Sequence, residues 1–145
     1  MEKLHDDRTG GYHLAGVIPV AGLPDDLNMP WDPCLTQIGE NYTAIERSLL
    51  DCSLVGCNTI WIVCNDDVQP IIKHRLGDWL YDTRSVEASK RTSSPIENRK
   101  RIPIFYTPIH PRDRNRRDSL GWSVLHGALT AFIMSSKMSK WLTPD

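Results

Sequence analysis

Asp25, Asp26 and Asp32 stand close together ahead of the first helical pattern, and carboxylate oxygen is what a hard cation such as magnesium prefers. The same spacing also describes a solvated acidic loop. Asp66-Asp67 offers a similar choice, between metal ligands and the cap of a helix. His110 and His126 are candidates for acid–base work by residue type. Neither is accompanied by a serine or cysteine nucleophile motif, and His126 lies between Leu125 and Gly127 in a helical pattern, where a packed side chain is expected. Four cysteines stand at 34, 52, 57 and 64. The spacing Cys52-x4-Cys57-x6-Cys64 fits no common zinc pattern, so all four read as reduced thiols serving as small hydrophobes.

Charge is distributed unevenly. Residues 1–82 hold 13 of the 18 acidic residues but only five of the 17 Lys and Arg, whereas residues 84–117 hold ten of the 17. The resulting basic strip suits phosphate or an acidic partner surface. Within it Arg114, Arg116 and Arg117 are the candidate partner contacts, because the planar guanidinium fork bonds carboxylate or phosphate in bidentate fashion. Trp31, in a proline-rich loop, is a further candidate anchor. A formal net charge of −1 argues against a protein that coats nucleic acid. No run approaches the ~20 apolar residues of a membrane span, and the polar N-terminus lacks the apolar core of a secretory signal. The expectation is one cytoplasmic domain over 1–145, with basic loops at 83–101 and 107–118.

The elements that would position these residues follow from periodicity. Residues 16–22 and 59–64 are short apolar runs, the second continuous enough for a strand buried on both faces. Pro19 marks the first as an edge strand or a distorted strand end. Residues 102–106 read as a third strand. Thr43 with Glu46 forms a capping box ahead of a helix over 43–56, which Gly56 is placed to end in the left-handed conformation. Further helices are expected at 67–80 and 119–136, the last with Trp122, Leu125, Leu129 and Phe132 at helical spacing. A fourth strand is expected to start near Trp141. Residues 23–40, rich in Pro and Asp, read as one long irregular loop. Strand–helix alternation predicts a three-layer α/β sandwich with a mainly parallel, Rossmann-like sheet.

The order of these elements, with Val17-Ile18-Pro19-Val20-Ala21-Gly22, Asp32-Pro33-Cys34-Leu35, Ala44-Ile45-Glu46 and Gly56-Cys57-Asn58-Thr59-Ile60-Trp61-Ile62-Val63, resembles the N-terminal half of sugar-nucleotidyltransferases and MobA-like NTP transferases. Leu76-Gly77-Asp78 and Gly127-Ala128-Leu129 are similar to later stretches of that family. The resemblance covers roughly residues 16–133 and implies nucleotidyl transfer from a nucleoside triphosphate to a sugar phosphate, with Mg2+ as cofactor. Carried over by position, it implies a nucleotide site at Ala21, Gly22, Asp25, Asp32 and Gly127, the first two as backbone contacts to base or ribose. The phosphate turn departs from the family: Gly22-Leu23-Pro24-Asp25-Asp26 has one glycine, and Asp32 stands where the family has lysine. Carboxylates there would repel triphosphate unless a metal intervened. Two functions therefore stay open: a nucleotide- or sugar-phosphate-binding transferase, and a catalytically silent relative acting as a structural subunit docked through the basic strip.

Overall fold

A computed structural model describes residues 13–22, 28–83, 100–114 and 119–142, with side chains of the last segment described to residue 137. Three strands, β1 (Ala15–Pro19), β4 (Thr59–Asn65) and β6 (Arg101–Ile109), lie parallel in the order β1-β4-β6. The short strand β5 (Trp79–Tyr81) adds antiparallel to the outer edge of β6. The fold is thus α/β with a mainly parallel sheet, as the alternation of runs predicts.

Residues 60–64 of β4 are buried on both faces, which is why this strand reads as an unbroken apolar run. On one face, Ile18 and Val20, Ile60 and Ile62, and Ile102 and Ile104 pack against Ile45 and Leu49 of α1 (Ala44–Val55) and Ile72 of α2 (Gln69–Leu76). The other face carries Val17, Val63 and Ile109, covered by Trp122 of the long helix α4 (Leu120–Leu142). A 3-10 turn at Pro33–Leu35, the small hairpin β2 (Gln37–Gly39)–β3 (Tyr42–Thr43) and one short helix, α3 (Pro111–Arg114), complete the described elements.

Helix α1 begins and ends as its sequence dictates. The backbone N–H and the hydroxyl of Thr43 both donate to the Glu46 carboxylate at 2.7 Å. Gly56 adopts φ 88°, and the Gly56 and Cys57 N–H groups close back on the carbonyls of Ser53 and Cys52.

Several expectations are corrected. The helix expected at 67–80 stops at Leu76, because Gly77 at φ 76° turns the chain so that Trp79–Tyr81 joins the sheet. The first strand spans 15–19 rather than 16–22, since the Val20 and Ala21 N–H groups converge on one carbonyl, that of Val63. The third strand runs on to Ile109, and Trp141–Leu142 continues α4 instead of opening a fourth strand. The long loop after Gly22 holds the 3-10 turn and the hairpin.

The last helix also turns a different face to the sheet than its apolar spacing predicts. Leu125, Leu129 and Phe132 are exposed, Phe132 at 73%. Ser123, Gly127 and Ala131 point inward instead. A Cβ on Gly127 would stand 2.7 Å from methyl carbons of both Val17 and Val63. Small residues let the helix axis approach the sheet closely, and packing complementarity outranks side-chain hydrophobicity here.

Candidate functional site

The carboxyl ends of the three parallel strands carry the polar groups of the molecule's upper edge: Ala21-Gly22 after β1, Asn65-Asp66-Asp67 after β4, and His110 to Arg114 after β6. Two helices of the same layer, α1 and α2, follow β1 and β4 on one face. Helix α4 follows β6 on the opposite face and returns over β4 and β1. The layers therefore part beside β1, whose other edge has no strand paired to it among the described residues. In open α/β sheets ligands bind outside the carboxyl ends of the strands.

Ala21 is buried and its N–H is bonded to Val63 O at 3.1 Å, which leaves it no free donor on the main chain. Gly22 is exposed at φ 72°, a conformation that disfavours other residues and bares the backbone. At the neighbouring strand end Arg114 donates to Asp67 at 2.8 and 3.2 Å and to Asp66. Desolvation is the largest single influence and lowers the guanidinium pKa, but the hydrogen bonds and charges of Asp67 and Asp66 together outweigh it and raise the pKa. This ion-pair cluster ties the turn after β4 to α3. Arg114 Nε and the buried Thr107 Oγ1 have no hydrogen-bond partner among the described residues.

No match to this chain is found among family models, curated proteins or solved structures.

Of the residues expected to bind nucleotide, Ala21 and Gly22 lie at this strand end. Asp32 does not act as a free carboxylate: it caps the 3-10 turn, accepting from the Cys34 N–H at 3.0 Å. Gly127 lies on the sheet-facing side of α4, against Val17 and Val63. Asp25 and Asp26 fall outside the described residues, as do Arg116 and Arg117 of the partner strip and its stretch 84–99. Arg114 belongs to the strand-end cluster, engaged by two carboxylates. Trp31 is exposed in the connection ahead of the 3-10 turn. His126 stacks on Trp122 with ring centroids 4.8 Å apart, in keeping with a packed histidine. Among the described residues no three His, Cys, Asp or Glu side chains gather as a metal site, and no helix is long and apolar enough to cross a membrane.

Two features escape a sequence reading. The cluster of Asp66, Asp67 and Arg114 joins residues nearly 50 positions apart, for which no local signal exists. A groove of about 410 Å³ opens between the edge of β1, the 3-10 turn and α1, lined by Val20, Pro33, Ala44, Ser48, Asp51 and Cys52 among others. Its only sequence signal is Pro19, which marks β1 as an edge.

Proposed function

We propose that this protein is a nucleotidyltransferase-like domain that binds a nucleotide or sugar phosphate at the carboxyl end of β1. The observation that carries the reading is the parting of the helical layers there, with α1 on one face and α4 on the other. Gly22 supplies exposed backbone at that point, and Arg114 sets a cation at the adjoining strand ends. The Arg114 charge is already balanced by Asp66 and Asp67, so a phosphate would have to compete with carboxylates for it. In the transfer itself a sugar-phosphate oxygen would attack the α-phosphorus of a nucleoside triphosphate and pyrophosphate would leave. Magnesium enters as the companion of the triphosphate, because the described side chains do not offer a donor set that holds it alone.

Calorimetric and thermal-shift titration against the four nucleoside triphosphates, with and without magnesium, tests this. A ligand present at a hundred times its Kd adds about 2.7 kcal/mol of stability, enough to move the melting temperature by several degrees. Silence with all four, and with sugar phosphates, removes the reading.

A second reading, a catalytically silent assembly subunit, is favoured by a specific observation. The edge of β1 that has no partner strand among the described residues is flanked by the groove beside α1 and by another of about 300 Å³ beside α4, next to the exposed stripe of Leu125, Leu129 and Phe132. Exposed apolar stripes beside an open sheet edge are typical of docking surfaces. Light scattering after size exclusion separates the two: a monomer that binds nucleotide speaks for the first, and a nucleotide-blind oligomer for the second.

A further inference from the structure

Two of the four cysteines meet at the end of α1. Gly56 closes the helix in the left-handed conformation, the Cys57 N–H donates to the Cys52 carbonyl at 3.0 Å, and the Gly56 N–H donates to that of Ser53 at 3.1 Å. In this capping motif the residue after the glycine packs against the residue five positions before it, a contact ordinarily made by two apolar side chains. Here both are cysteines. The motif brings the two thiols to the same place on the inner side of the helix end. Both also press on the same point of β1: a Cβ on Gly16 would stand 2.8 Å from Cys52 Sγ and 3.2 Å from Cys57 Sγ. Only glycine leaves room for the pair.

The two sulfurs differ in access. Cys57 is buried, whereas Cys52 is partly exposed and lines the groove between β1 and α1. Cys34 and Cys64 lie in the core, at 4% and 0% exposure. We propose that Cys52 and Cys57 are a redox modification site, closing to a reversible disulfide when hydrogen peroxide enters the groove. The Cys52 sulfur attacks the peroxide oxygen, the O–O bond breaks, and a sulfenic acid forms on Cys52 as water leaves. The Cys57 sulfur then attacks the Cys52 sulfur, the S–O bond breaks, and a second water carries away the Cys57 proton. The two thiols lose two electrons and two protons, and hydrogen peroxide is reduced to two waters. A dithiol reductant reverses the step by exchange. The capping motif already sets both sulfurs within about 3 Å of one point on β1, so closure calls for side-chain rotation rather than refolding. Burial, the first cause, and the neighbouring Cys57 and Asp51 push the Cys52 thiol up to about 11, so closure is slow at neutral pH and selective by position rather than by acidity.

The test is peptide mapping of the folded full chain treated with graded hydrogen peroxide and alkylated in denaturant. The expected product is a Cys52–Cys57 link, short of two hydrogens and reopened by dithiothreitol, forming roughly tenfold faster than any oxidation of Cys34 or Cys64. Cys57→Ser should abolish the link and leave a sulfenic acid on Cys52 that dimedone traps. Should that variant fold poorly, Cys52→Ser, at a partly exposed position, serves instead, and its Cys57 should stay reduced. Independent overoxidation of Cys52 without a link would overturn the proposal. So would four cysteines oxidising at similar rates, or links scrambled among them.

Discussion

At the scale of single residues, Gly127 and Glu46 carry opposite kinds of constraint. Replacing Gly127 with alanine gains up to about 1 kcal/mol of helix propensity. The new methyl would overlap Val17 and Val63, both on strands whose backbones are fixed in the sheet. Overpacking of this kind typically costs about 1–3 kcal/mol, so the clash outweighs the propensity. Gly127→Ala should lower stability by about 1–2 kcal/mol in urea titration, and a neutral or stabilised variant would show that α4 can lift off the sheet freely. For Glu46, burial disfavours the charge, but bonds from the Thr43 hydroxyl, Arg75 and the Thr43 N–H together hold its carboxyl below the ordinary value of 4.5. A depressed folded pKa contributes stability that is fully present above the unfolded value and is lost as pH falls through the folded one. The melting temperature should therefore drop on acidification below about pH 5. Glu46→Gln, unable to ionise, should show a shallower drop and a loss of about 1 kcal/mol at neutral pH.

At the scale of elements, the end of α2 decides whether the sheet has a fourth strand. Gly77 sits at φ 76°, ψ −161°, a region that only glycine occupies comfortably, yet a Cβ there would meet nothing within 4 Å. The penalty for Gly77→Ala is then purely conformational, about 1–3 kcal/mol. Hydrogen exchange should show the loss concentrated at Trp79–Tyr81 and its partners on β6. Two other contacts anchor this turn: the Tyr106 hydroxyl donates to the Gly77 carbonyl at 2.5 Å, and the Ile104 N–H donates to Asp78 O at 2.9 Å. Global unfolding without a local signature would mean that β5 is an integral part of the core rather than an appended edge.

At the scale of the whole molecule, Arg114 joins two turns that are distant in sequence, and it does so at a partly exposed surface. Its side chain is 31% exposed, and those of Asp66 and Asp67 are 41% and 62% exposed. Pairs in such surroundings contribute about 0–1 kcal/mol and weaken with salt. Arg114→Gln should cost little stability at high ionic strength and somewhat more at low ionic strength, in melting curves recorded across salt. It should also release two carboxylates at the carboxyl end of the sheet. If that end binds phosphate, the variant's affinity for a triphosphate should fall by far more than its stability. Equal small losses in both would separate Arg114 from the ligand.

Local chemistry made much of the architecture legible. The unbroken apolar run of residues 60–64 marks a strand buried on both faces, and Thr43, Glu46 and Gly56 mark both ends of α1 because capping depends on neighbours a few positions apart. The same local capping rule places Cys52 beside Cys57, although the cysteine spacing alone reads only as separate small hydrophobes. Other features depend on partners that only the folded chain supplies. The face that α4 turns to the sheet is chosen by the space between Val17 and Val63, so Leu125, Leu129 and Phe132 remain outside despite their spacing. Residues 79–81 become a strand because β6 offers an open edge to the chain after Gly77. Asp66 and Asp67 read as helix caps more readily than as metal ligands, but α2 begins beyond them with Val68 at its N-cap, and Arg114 of α3 is brought to pair with them instead. Short-range hydrogen bonding and hydrophobic periodicity are properties of the sequence, whereas close packing and charge pairing across the sheet are decided by the tertiary structure.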